Sequence, residues 1–198
     1  MASNTKLAPF RQYADEDVIN MFAYQGTVPC TAGTVVKSDT SGWLPSLSDN
    51  NLTWNMAASN FGNVVSPRWG VNAKCQTATT GDSVLGILLH DVREVDENNI
   101  PLIQNPQKAY ENNWTISGQV SPILTKGFVL ISGNWGGANG TPAAGDLAYP
   151  TGAGEITNSA LRQGSTTASI VGKFYGSADL SARSESKGFA LLRVDVGP

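Results

Sequence analysis

Charge is scarce in this chain: 15% of its 198 residues are charged, against about a quarter in an average globular protein. Lys and Arg total 13 against 16 Asp and Glu, for a net charge of −3. Binding to nucleic acid needs clustered cations to meet the phosphates. Here the basic residues, such as Lys37, Arg68, Lys74 and Arg93, are scattered, so no nucleic-acid partner is expected. Apolar runs long enough to span a bilayer are also missing, and the opening MASNTKLAPFRQYADED has no apolar core of a secretion signal. The expectation is a chain made in a cytoplasm, without a membrane partner.

Cysteine occurs twice and histidine once. Cys30 and Cys75 could pair, but two thiols in an unexported chain read more simply as small buried hydrophobes. The sequons at Asn51, Asn113 and Asn139 carry little meaning without a secretory route. The single histidine, His90, limits the nucleophilic chemistry that can be proposed.

Glycine, by contrast, is abundant at 21 residues, above the usual share of about 7%. Much glycine and little charge point to many turns and few exposed helices. Short apolar segments recur between them: VINMFAYQG, ambiguous between strand and helix but short, aromatic and branched; GTVVKSD; VVSPRWGVNAKCQTA, bent at Pro67; and SVLGILLHDV. The last two are expected to pair as a hairpin across the Thr79–Asp82 turn. NWTISGQVSPILTKGFVLIS reads as two strands divided around Pro122 to Gly127, and AAGDLAYPTGAGEIT as a turn, a strand, a Gly-rich turn and a strand. SIVGKFYGSAD and KGFALLRVDV continue the rhythm. The fold class is therefore all-β, a compact barrel or sandwich, with no βαβ unit expected. Residues 1–17 lack periodicity and read as an extended N-terminal arm on a single domain of residues 18–198. The polar, aromatic-studded connection from Trp43 to Asn63 is too long for a simple turn.

Gly81-Asp82-Ser83 matches the tripeptide of the Gly-Asp-Ser esterases, but it lies mid-chain and runs into an apolar strand. No Asp stands three residues before His90. On an unbroken strand Ser83 and His90, seven residues apart, point to opposite faces, where nucleophile and base cannot meet. The motif reads as a turn opening a core strand, and no catalytic residues are assigned. His90, Asp91, Glu94 and Asp96 are ligand types for a divalent metal, yet their spacing is unspecific and fits the solvated end of a strand; no metal or cofactor is assigned. SGNWGGANGTPAAGD lacks the Gly-Lys-Ser/Thr ending and following helix of a phosphate loop. Trp43, Trp54, Trp69, Trp114 and Trp135 could form a glycan-stacking platform, although aromatic residues more often fill cores and interfaces.

The order of parts from Val64 to Val196 (RWGVNAKCQTATTGDSVLGILLHDV, ISGQVSPILTKGFVLIS, AAGDLAYPTGAGEIT, SIVGKF, KGFALLRVDV) resembles the small β-barrel decoration, or cement, proteins of tailed-bacteriophage heads. The leading FRQYADEDVINMFAYQG is similar to the opening segment of phage head proteins. The resemblance implies a structural virion protein without enzymatic activity or cofactor, sited on the outer capsid surface, with the major capsid protein as partner and self-association as a homotrimer or dimer. A glycan-binding virion module using exposed tryptophans is the alternative. The arm combines anchor types with rim charges and has too few apolar neighbours to fold alone. Phe10, Arg11, Tyr13, Asp15 and Glu16 are accordingly the expected capsid contacts, and residues near Val18 to Tyr24 are expected to add as a strand to a neighbouring sheet edge.

Overall fold

The computed structural model describes residues 6–9, 12–39, 74–132, 141–158, 169–178 and 189–196. The Trp43–Asn63 connection and most of the Gly-rich 132–146 loop lie outside them.

The fold is all-β, with a closed barrel. Strands β1 (Lys6–Pro9), β2 (Val18–Tyr24), β3 (Val35–Ser38), β4 (Lys74–Thr77) and β5 (Gly86–Leu88) are followed by β6 (Asp91–Arg93), a six-residue helix α1 (Pro106–Glu111) and β7 (Trp114–Ile116). Then come β8 (Val120–Leu124), β9 (Lys126–Ser132), β10 (Leu147–Pro150), β11 (Ile156–Thr157), β12 (Gly172–Ala178) and β13 (Phe189–Asp195). The barrel closes in the order β2-β4-β3-β5-β8, a six-stranded sheet runs β1-β9-β13-β12-β10-β11, and β6 and β7 form a separate pair.

Alternation builds the sheet. Along β13, Ala190, Leu192 and Val194 are buried while the residues between them face outward, as period-two side-chain placement requires. Leu192 lies opposite Phe174 on β12 and Val129 on β9. All three belong to a large core that also takes in Val35, Ile87 and Leu124 of the barrel, so the sheet packs its inner face on the barrel wall. Each such buried side chain contributes about 1.5–3 kcal/mol. The β10–β11 turn joins the two bodies: Gly154 accepts a hydrogen bond from Val35 N at 2.8 Å. A Cβ there would stand 2.5 Å from Thr77 Cγ2 and 2.7 Å from Thr34 Cγ2, and the backbone is left-handed with φ +71, so only glycine fits without strain.

Inside the barrel a second core gathers Phe22, Tyr24, Val36, Leu88, Val92 and Ile123 around Cys30 and Cys75. Pro122 sits within β8, where the β2 register shifts between Ile19 and Phe22. Two β2 residues there oppose one on β8, and a proline without an N–H is tolerated at such a bulge.

Three expectations are corrected. The segments on either side of the Thr79–Asp82 turn do not pair as a hairpin: β4 joins β3 and β2, while β5 joins β3 and β8, so β3 lies between them. Residues 114–132 hold three strands instead of two, because Trp114–Ile116 is a strand of its own; the division expected around Pro122 to Gly127 falls at Thr125. A small β-α-β unit does exist, since β6 and β7 are parallel with α1 between them.

Candidate interaction surface

The N-terminal segment lies along this chain's own sheet. β1 pairs antiparallel with β9, from Lys6 opposite Ser132 to Pro9 opposite Val129. The Tyr13 hydroxyl donates to Phe128 O at 3.0 Å, and its half-buried ring packs on the large core. A Cβ at Gly127 would stand 2.9 Å from that ring. Tyr13 therefore anchors the segment internally. Next, Asp15–Asp17 form one 3-10 turn, fixed where Thr125 N and Oγ1 both donate to Asp17 O at 2.9 Å. Asp15 and Glu16 are exposed on it; Phe10 and Arg11 lie outside the described residues. The expected strand addition through Val18–Tyr24 is corrected, because β2 pairs with β4 on one side and β8 on the other within the barrel.

Gly81-Asp82-Ser83 is held as a turn. Asp82 Oδ2 accepts from Thr79 N at 2.7 Å and Thr79 Oγ1 at 2.6 Å, and pairs with Lys37 Nζ at 2.8 Å. Burial opposes ionisation of this carboxyl, but the Lys37 and Thr79 bonds outweigh it and hold the pKa below the usual range. Ser83 is exposed beside the turn, and the strand breaks after Leu88 into a bend that carries a half-buried His90. The expected unbroken strand from Ser83 to His90 is thus replaced by turn, short strand and bend, and period-two alternation does not relate the two side chains. Burial lowers the His90 pKa, with Asp91 acting in the opposite sense.

The carboxylates that follow are engaged locally. Asp91 accepts from Ala32 N at 2.8 Å and pairs with Arg93 at 3.0 Å. Asp96 accepts from Asn98 N at 2.8 Å, Ile100 N at 2.9 Å and Lys108 Nζ at 2.7 Å. Among the described residues no three His, Cys, Asp or Glu side chains come together to hold a metal ion.

Both thiols are free and buried. Burial raises the Cys30 pKa and pushes Cys75 up to about 12, so neither is a thiolate near neutrality. Burial also raises the Tyr24 phenol, which shares a 2.6 Å hydrogen bond with Thr77 Oγ1. Of the five tryptophans, Trp114 alone is among the described residues; the Arg93 guanidinium lies 4.3 Å over its ring, a cation–π contact that takes up one face.

Among the described residues the two most exposed large apolar side chains, Ile103 and Tyr110, lie on the β6–α1–β7 excursion. Val95 and Ile100 are 37% and 48% exposed, Ile103 76% and Tyr110 85%. Beneath them Leu102, Ala109 and Ile116 form a separate small core with Trp114 against it. Lys108 on α1 reaches back to the preceding loop, 2.7 Å from both Asp96 Oδ2 and Glu97 Oε1. Sequence reasoning missed this surface because α1 is too short to show periodicity. Its signals are local: Asn105-Pro106 places proline at the first helical position, and Asn113 ends the helix at φ +54.

Among the described residues no helix is long and apolar enough to cross a membrane. Neither a protein-family model nor a curated protein matches the chain.

Proposed function

We propose that the chain is a structural virion protein, a decoration or cement protein that binds the outer surface of an expanded phage head and stabilises its lattice. Its partner is the major capsid protein, and it self-associates as a trimer or dimer. The observation that carries this reading is the order of parts from Val64 to Val196, which resembles that family. The closed barrel packed on a sheet is consistent with a mechanical role, since interiors packed to crystal-like density transmit strain. Phe10, Arg11, Asp15 and Glu16 remain the proposed N-terminal contacts, with the acidic pair presented on a turn that Thr125 and Tyr13 hold in place.

The test is co-sedimentation of the purified protein with heads of the phage that encodes it, before and after expansion. Saturable binding at a fixed ratio to expanded heads is expected, and absence of binding to either form would sink the reading. Deleting residues 1–17 would also remove β1 and the Tyr13 anchor, so Asp15→Asn with Glu16→Gln is the cleaner probe of the N-terminal contact. That pair should weaken head binding while leaving the melting temperature unchanged.

A further inference from the structure

The chain's charge is unevenly placed. Residues 91–116 hold five of the 16 carboxylates (Asp91, Glu94, Asp96, Glu97 and Glu111) and two of the 13 cations. That stretch alone accounts for the net −3, and the remainder balances. Both of its cations are matched within it, Arg93 by Asp91 and Lys108 by Asp96 and Glu97. Of the three surplus negative charges, one remains in the Asp96–Glu97 pair that shares Lys108, and the other two are Glu94 and Glu111, which are exposed. On the same excursion Ile103 and Tyr110 stand almost fully in solvent.

We propose that this excursion is a docking surface, with Ile103 and Tyr110 as anchors and Glu94 and Glu111 as rim, for a protein face offering an apolar pocket bordered by Lys and Arg. That the capsid shell bears this face rests on the cement reading above. Tyrosine surrounded by polar residues is the usual composition of a binding hot spot. The anchors are already positioned: Lys108 clamps α1 to the 96–100 turn, and Asp96 accepts from both Asn98 N and Ile100 N. Little ordering cost then falls on association. Charge selects among occupants. A second copy meeting this one through the same excursion would bring −3 against −3, and nucleic acid or an anionic bilayer would be repelled in the same way. A cationic protein surface is the occupant that complements the patch.

The experiment is quantitative binding to expanded heads by the full chain and two double variants. Ile103→Asp with Tyr110→Asp, at exposed positions that carry little of the core, should raise the half-saturating concentration at least about tenfold with an unchanged melting temperature. Glu94→Lys with Glu111→Lys should slow association and reduce its dependence on salt. Full binding by both variants would overturn this inference and leave the cement reading standing. No binding by the unaltered chain would overturn both. If the apolar double variant instead converts an oligomer to monomer in sedimentation equilibrium without heads, the surface serves self-association and the inference fails. Should that variant misfold, the charge-reversal pair decides on its own.

Discussion

The barrel and the β6–α1–β7 excursion solve the same problem at different scales. The barrel hides its apolar residues by closing: five strands leave no edge, and Val36, Cys75, Leu88 and Ile123 are fully buried. The excursion has two three-residue strands and a six-residue helix, too little to enclose much. Its core is three residues deep, and a lysine bridging two carboxylates supplements it. Closure leaves the barrel without an open strand edge. An excursion fastened at a few points can afford to leave its largest side chains in water, and this one does.

Cutting into each core should separate the two kinds of stability. Leu88→Ala inside the barrel should cost about 2–5 kcal/mol in a single urea transition, and labelling of Cys30 and Cys75 by a thiol reagent should quicken with it. Failure of the thiols to respond would mean that they do not share the barrel's cooperative unit. Leu102→Ala should cost less, about 2 kcal/mol, and register mainly as faster hydrogen exchange at 102–116 with barrel amides still protected. Equal loss of protection in the barrel would show one unit where we describe two.

The smallest effect concerns the clamp. Lys108, hydrogen-bonded to Asp96, together with the Ile100 amide, holds the Asp96 carboxyl below the usual range. Such a group stabilises the fold fully above the ~3.9 of an unfolded Asp, and the contribution disappears as pH falls through the lower folded value. Exchange in α1 should therefore rise below about pH 4, ahead of any change in the barrel, and Lys108→Gln should produce a similar loosening at neutral pH. An α1 indifferent to both would remove the clamp from the account.

Strand existence was largely legible in the sequence, because alternation such as that of FALLRVD is a local signal. Pairing was not. β3 and β4 come together across the long connection that separates Ser38 from Lys74, so proximity in sequence suggested the wrong hairpin between β4 and β5. Pro122 lies inside β8, where the bulge opposite it removes the cost of its missing N–H, and the division expected around Pro122 to Gly127 comes at Thr125. Tyr13 read as a capsid contact, and nothing local in the sequence showed that its hydroxyl donates to Phe128 O of its own chain. Ile103 and Tyr110 belong to no motif, and only their exposure in three dimensions distinguishes them.

The position of β13 has a consequence for synthesis. It lies between β9 and β12, yet it is made after both. Until Phe189–Asp195 emerges, a nascent chain carries two open strand edges where the finished sheet has its middle, and open edges invite pairing with other chains. Chains that lack β13 are thus the aggregation-prone species, and arrival of this one strand closes both edges at once.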